Sequence, residues 1–327
     1  MQSETTEIHR WQTQDIDEQS VLLSDWEQEY RQLSCGKFIG NVSTAHGPKV
    51  TIVGEHTNQS LHQRVVPPAD QIVFGLVLNR DDALQINRHQ VKTTSMIAVE
   101  GGKEYDFRTS GSTELLGISL DRSLVFDNDG AHISLIQNAL RQGVVALDPT
   151  AATMLRHLWV MMGQILDREA TWPSSMPLTQ LASTALNNVL LALNMSSSLS
   201  AAARTPAANR QTHVVQQAIR FMRAHLDQEF TIADVCAATH VSQRTLQYHF
   251  ESSLDMSPLQ YLKAMRLNAA RSLIRKMGAT GNRANIAEIA AMCGYEHPSR
   301  FAGDYRRQFG ALPSETLREA VRQLAAA

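Results

Sequence analysis

Two stretches of the chain, 54 residues apart, carry the same pattern, and that repeat constrains the fold more than any other feature. Thr231-Ile-Ala-Asp-Val235 aligns with Asn285-Ile-Ala-Glu-Ile289. Past a short turn the offset becomes 55: Leu246 matches Phe301, Phe250 matches Tyr305, Leu254 matches Phe309 and Pro258 matches Pro313. A pattern repeated at fixed spacing marks one supersecondary unit used twice. In each copy Thr231 or Asn285 stands three residues before an acid, Asp234 or Glu288. That is a capping-box-like helix start. The unit reads as helix, tight turn, helix.

In the first copy the pattern predicts a helix over 232–238, a turn at Thr239–Val241, and a second helix Gln243–Ser253 capped by Ser242. Leu246 and Phe250, one turn apart, face inward against Ile232 and Val235. Gln243, Arg244, Gln247, Tyr248 and Glu251 are then left on the outer face. In the second copy Ala287–Met292 precedes a turn at Gly294, and Pro298 opens a helix over Pro298–Gln308. Phe301, Tyr305 and Phe309 point inward, with His297, Ser299, Arg300, Gly303, Arg306 and Arg307 elsewhere around the helix. This inventory suits base reading, because Arg pairs bidentately with guanine, Gln with adenine, and Ser takes several partners. Arg306 and Arg307, farther along, are better placed for phosphate. Between the copies, Pro258–Lys276 predicts a helix ~28 Å long. Such a rod is able to hold two reading helices about one DNA turn apart, ~34 Å. A helical hairpin used twice also suits a protein-interaction bundle, and the pattern alone leaves that open.

Charge follows the same division. Residues 210–327 carry 15 Lys+Arg against 10 Asp+Glu, whereas the whole chain carries 30 against 32. The rear is basic and the front acidic, so the rear is the part suited to a polyanion. Ser196–Thr212, small and polar with Pro206 in its middle, reads as a linker. It separates a front domain, 1–195, from a rear domain, 213–320.

The front is β-rich from about 33 to 120. Apolar runs at Lys49–Gly54, Gln71–Leu78, Ser95–Val99 and Thr113–Leu120 alternate with Gly, Pro, Asn and Asp clusters, which predicts an antiparallel β-barrel or sandwich. Ser24–Leu33 reads as a short helix leading into it. Two helices follow at about 150–168 and 177–195, with apolar stripes that suit either the chain's own core or a second subunit in a homodimer. The architecture is α+β in front and all-α behind.

The three cysteines, Cys35, Cys236 and Cys293, form no C-x-x-C pair and read as buried thiols in a reducing cytoplasm. The polar, acidic amino terminus reads as neither signal peptide nor anchor, and no apolar run reaches the ~20 residues of a membrane span. The expected location is cytoplasmic, without a membrane partner.

Residues 213–320 resemble the AraC/XylS DNA-binding domain. The resemblance rests on Ala233, Val241-Ser242, Arg244-Thr245-Leu246 and Phe250 in the first copy. Pro258, Tyr261-Leu262, Arg266-Leu267-Asn268, Ala270 and Arg271 carry it through the connecting helix. Ile289-Ala290, Gly294-Tyr295, Phe301, Tyr305-Arg306, Phe309-Gly310 and Pro313 carry it through the second copy. It implies that Arg244, Gln247 and Tyr248 occupy the groove-facing positions of the first reading helix, and Ser299, Arg300 and Gly303 those of the second. Gly303 has no side chain with which to read a base, so the second copy is expected to favour backbone binding. The family further implies a cupin-like sensor, promoter DNA and RNA polymerase as partners, and activation more often than repression. In front, Trp26–Leu33, Gly36-Lys37-Phe38, Gly40 and Leu116–Leu120 resemble the sensor of the ethanolamine-operon regulator branch. That implies ethanolamine with adenosylcobalamin as effector.

Enzyme chemistry finds little footing in this sequence. His46, His56, His62 and His89 lack the closely spaced H-x-H with a downstream carboxylate of a cupin-like metal site, so no metal is expected. Cys35 alone does not make a methyl-accepting repair site, which needs activated, clustered cysteines. No Ser/His/Asp signature, phosphate loop or paired-carboxylate motif stands out. The leading expectation is a regulator responsive to a small-molecule effector. A ligand-independent regulator with a scaffold front, and a metalloenzyme fused to a DNA-binding domain, are the alternatives. No effector-contacting residue is readable.

Overall fold

Apolar runs of strand length in the front, bounded by turn residues, build two antiparallel sheets. The computed structural model describes residues 6, 8–80, 84–87, 89–126, 132–168, 171–173, 177–197, 206–226, 228, 230–280 and 285–326. The chain divides into a first unit, Met1–Tyr30 with Ile39–Ala203, and a second, Arg31–Phe38 with Arg204–Ala327.

The first unit runs β1 (Ile8–Thr13), α1 (Ile16–Gln19), β2 (Glu27–Gln32, its last two residues counted with the second unit), β3 (Gly40–Gly47), β4 (Val50–Thr57) and β5 (Leu61–Val66). It continues with β6 (Gln71–Arg80), β7 (Leu84–Ile86), β8 (His89–Val91), β9 (Ser95–Glu100), β10 (Tyr105–Thr109) and β11 (Thr113–Asp121). α2 (Arg122–Phe126), α3 (Ile133–Gln142), β12 (Val144–Ala146), α4 (Pro149–Arg168) and α5 (Leu178–Met195) complete it. One sheet has the order β1-β3-β4-β11-β6-β9-β12, the other β2-β5-β10-β7-β8. They form a sandwich and do not close into a barrel, which decides between the two readings of the sequence.

β6 shows why its run is so apolar. Ile72, Phe74 and Leu76 face α3, α4 and α5, while Val73 and Val77 face the second sheet with Leu84, Ile86 and Val91. A strand buried on both faces loses the alternation of a half-buried one. The stripes of α4 (Leu155, Trp159, Met162, Leu166) and α5 (Leu181, Leu186, Val189) lie in this unit's own core. His62 is buried beside Asp106 at 2.6 Å, and Arg108 Nε reaches the same carboxylate at 2.8 Å. Burial works against the Asp106 charge, but His62 and Arg108 outweigh it and hold the carboxyl down at about 2.

Several sequence expectations fail against this structure. Ser24–Leu33 is not a helix: Glu27–Gln32 is strand β2, with more and less exposed residues alternating along it. Good helix formers gave way there to sheet pairing, since tertiary context overrides local preference. The stretch read as linker is helical from Pro206 on, because proline at a first helical position opens a helix as readily as it breaks one. Strands also extend beyond 33–120, from Ile8 to Ala146. Of the three cysteines expected to be buried, Cys293 is, Cys236 is half-buried, and Cys35, in a short loop segment among polar neighbours, is exposed.

The second unit holds α6 (Pro206–Ala224), α7 (Ile232–Thr239), α8 (Gln243–Leu254), α9 (Pro258–Ala279), α10 (Ile286–Met292), α11 (Pro298–Phe309) and α12 (Pro313–Ala326). It has two cores, strung along α9. The first gathers Val215, Ile219 and Met222 of α6 with Val235, Leu246, Phe250, Tyr261 and Met265. The second gathers Leu267 and Ile274 with Ile289, Phe301, Tyr305 and Phe309. The segment Arg31–Phe38 packs in the same unit. Asn268 exchanges bonds with the Gln32 backbone, accepting from its amide at 3.0 Å and donating to its carbonyl at 2.8 Å. Gln308 Nε2 donates to the same carbonyl at 2.9 Å. Leu33 is buried in the first of the two cores.

Candidate nucleic-acid interface

Local chemistry builds both helix pairs. Thr231 Oγ1 accepts from the Asp234 amide, and the Asp234 carboxylate accepts from the Thr231 amide at 2.7 Å, a complete capping box. The second copy departs from the expected box. Asn285 caps the Ala287 amide at 3.0 Å and donates through Nδ2 to Glu288 at 2.9 Å, so the acid braces the cap side chain. The turns repeat as well as the helices. His240 and Gly294, at the offset of 54, both have positive φ, 54° and 76°. Asp255 and Gly310, at the offset of 55, have φ of 53° and 73°. The sequence repeat is thus a backbone repeat, with left-handed residues closing corresponding helices.

Leu246, Phe250, Phe301 and Tyr305 are fully buried and Phe309 nearly so. That fixes the rotation of α8 and α11. Tyr305 also donates to Thr316 at 3.0 Å, tying α11 to α12. On the outer face of α8, Gln243, Arg244 and Tyr248 are exposed, Tyr248 to 63%. Gln247 is half-buried and donates to Glu251 one turn on. On α11, Ser299, Arg300, Gly303, Arg306 and Arg307 are exposed. Arg307 lies 3.4 Å from Asp304, which also pairs with Lys263 of α9 at 2.8 Å. Part of the Arg307 charge is therefore already answered within the protein.

Gly303 sits in mid-helix, and an added Cβ would meet nothing within 4 Å. Gly303→Ala is expected to stabilise the second unit by about 1 kcal/mol, the helix-propensity difference, readable in a thermal melt. Weaker DNA binding by that more stable variant would mark a close approach of the helix backbone to DNA.

The front histidines have partners of other kinds. His46 lies 3.0 Å from Thr44 Oγ1, His56 3.1 Å from Ser112 Oγ, and His62 pairs with Asp106. Among the described residues no three His, Cys, Asp or Glu side chains converge as a metal-ligand set, and no helix is long and apolar enough to cross a membrane. Sequence reasoning named no residues of the first unit as a site. The structure shows a cavity there around Glu55, which lies in the polar end of β4 and gives little sign of burial in the sequence.

Helix pairs α7–α8 and α10–α11 flank the connecting helix α9, each with polar and basic residues on its outer face, the form of a domain of the helix-turn-helix class. Residues 235–319 match the family described as "Helix-turn-helix domain". The chain is 30% identical over 213 residues to the "Probable thc operon regulatory protein" of Rhodococcus erythropolis, covering 63% of this chain and 61% of that protein. It is 30% identical over 110 residues to the "XylDLEGF operon transcriptional activator" of Pseudomonas putida, covering 34% of each. A solved structure of a probable AraC family transcriptional regulator from Rhodopseudomonas palustris is 31% identical, with a TM-score of 0.31, over 33% of this chain and 97% of that one. The chain thus spans about three-fifths of one relative's length and a third of the other's. Residues 235–319 therefore form a helix-turn-helix domain of the kind found in AraC/XylS-type transcription regulators.

Proposed function

We propose that the protein binds double-stranded promoter DNA through both helix-turn-helix pairs and changes that binding in response to a small metabolite. The observation that carries this reading is the pair of outward faces, Gln243, Arg244 and Tyr248 on α8 and Ser299, Arg300 and Arg306 on α11, set at either end of the 22-residue helix α9. Arg244, with Gln243 and Gln247, reads base edges. Arg306 and Arg307 hold phosphate. The relatives named as activators favour activation, with RNA polymerase as the second macromolecular partner and a homodimer as the form that occupies adjacent half-sites.

The test starts from a DNA site selected from a random pool by the full chain. Affinity should fall steeply with salt, as neutralised phosphates release counterions. Arg244→Ala should cost about 1–3 kcal/mol at the selected site and relax the preference at one base pair. An unchanged preference in that variant would remove α8 from the groove. Ethanolamine, with and without adenosylcobalamin, is added to the same titration. A change in affinity would assign the effector that the sensor resemblance implies.

A further inference from the structure

Between the sheets of the first unit lies a half-open pocket of about 90 Å³. That is room for several waters or one compact ligand. Its walls are mostly apolar, with Trp26, Tyr30 and Phe107 as the aromatic members and Val73, Ile97 and Val99 among the aliphatic ones. Among the described residues lining it, Glu55 is the one charged side chain. Tyr30 Oη and Gln19 Nε2 both donate to Glu55 Oε1 at 2.8 Å, and Gln63 also bonds the carboxylate. Thr13 donates to Gln19 at 2.8 Å and extends the network. Gln28 Oε1, also at the cavity, is buried without a hydrogen-bond partner.

These donors come from four separate elements, and they hold an acid where an apolar core would be cheaper to build. Burial pushes the Glu55 carboxyl above the usual range, and the hydrogen bonds from Gln19, Tyr30 and Gln63 oppose that rise. Burial also pushes the Tyr30 hydroxyl well up, so it stays a donor. Glu55 is half-buried, and a carboxylate partly withdrawn from water without a cation is costly, a cost that a cation beside it recovers. Glu55 also borders a cleft on the sheet's other face, where the basic groups are engaged elsewhere: Arg10 with the Leu166 and Ile165 carbonyls, His56 with Ser112.

We propose that this cavity binds a small amine, with its ammonium on Glu55 and its compact apolar body between Trp26, Phe107 and the aliphatic wall. Gln28 Oε1 accepts a second N–H of the same head group. The aromatic walls add cation–π attraction to a head group held away from water. An anion of the same shape is repelled by Glu55, and an alcohol leaves the half-buried charge uncompensated. The proposal rests on the effector-responsive reading above and supplies the chemical class of the effector. Strand β2 brings Gln28 and Tyr30 to the cavity.

The test uses the full chain and three probes of one shape, cyclohexylamine, cyclohexanol and cyclohexanecarboxylate, with benzylamine, benzyl alcohol and benzoate as a second set. Calorimetry and thermal shift should show the amines binding at least about tenfold tighter than their alcohols and acids, with a melting point that rises with concentration. Glu55→Gln keeps the shape and an acceptor for Tyr30, and should abolish the amine preference. Should that variant fail to fold, hydrogen exchange on the unmodified protein replaces it, and protection by cyclohexylamine should concentrate in β2, β4 and β10. The proposal is overturned if no amine binds, if the acid or alcohol binds equally well, if Glu55→Gln binds the amine unchanged, or if protection falls elsewhere. DNA affinity is measured alongside. Glu55-dependent amine binding that leaves DNA affinity unchanged keeps the site and removes the effector reading. A carboxylate that alters DNA binding does the reverse.

Discussion

Phe301→Ala is expected to cost the second unit about 3–5 kcal/mol, the range for emptying a buried aromatic site. Phe301 is fully buried and packs edge-on to Tyr295, with ring centres 5.2 Å apart, and against Tyr305 at 5.6 Å. Its neighbours are rigid rings and helix stems, so the space left behind closes poorly. The core it serves, with Leu267, Ile274 and Ile289, is distinct from the core around Phe250 and Tyr261. The damage should therefore be local. Hydrogen exchange should show protection lost over α10 and α11 while α7 and α8 keep theirs, because cooperative units follow separate cores. Binding to a selected DNA site should fall and its salt slope become shallower, since one set of phosphate contacts is gone. Phe250→Ala is the mirror experiment. If either variant melts all four helices together, α9 couples the two pairs into one cooperative block, and independent reading by the two helices is ruled out.

How much of this was legible in the sequence depends on where each element finds its partners. The helix-turn-helix pairs were legible because their inward residues, Leu246 and Phe250 or Phe301 and Tyr305, meet neighbours close in sequence. The left-handed turns recur at the same offsets, but only Gly294 and Gly310 advertise them; His240 and Asp255 adopt the same backbone without glycine. Strands β4, β6, β9 and β11 were legible as apolar runs because they form the middle of the larger sheet. Strands β1 and β2 were not. Both are edge strands rich in polar and charged residues, IHRWQT and EQEYRQ, and the second reads locally as helix. The Glu55 network was hidden for a related reason. Its members Thr13, Gln19, Tyr30, Glu55 and Gln63 are polar residues on different elements, and only the sheet stacking buries them together.

The same contrast explains what kind of statement each half of the chain supports. In the second unit the proposed DNA-reading residues lie on an outer helical face, and helix periodicity exposes that face directly. In the first unit the proposed amine site lies inside, where one strand shift would carry Glu55 from the cavity to the opposite face. The register of β4 against β11, with Glu55 opposite Leu115 and Val53 opposite Gly117, therefore matters as much as the identity of the acid.

That register depends in turn on the frame around β6 and β9, and Gly101 is its most exacting position. A Cβ added there would lie 1.7 Å from the Pro68 carbonyl oxygen and 2.9 Å from that of Gln71. Both obstacles are backbone, so no side chain is able to swing aside. The Pro67–Gln71 turn would have to move off, breaking the bond from the Gly101 amide to Gln71 at 2.8 Å and that from Gly102 to Pro67 at 2.9 Å. It would also strain the Arg122 amide bond to Asp70 at 2.7 Å, by which α2 joins the same turn. Gly101→Ala should therefore exceed the usual ~1–3 kcal/mol of overpacking. At about 2–4 °C per kcal/mol for a unit of this size, its melting point should drop by roughly 10 °C. Gly117→Ala is the control, because its Cβ would meet Val73 at 3.6 Å, an ordinary contact, and its effect should stay within about 1 kcal/mol. Calorimetry of the full chain should show the shift in the first unit's transition, with the second unit's transition and its basal DNA affinity unchanged. Equal tolerance of both alanines would mean that the turn yields freely, and the sheet frame would then not be what fixes the cavity.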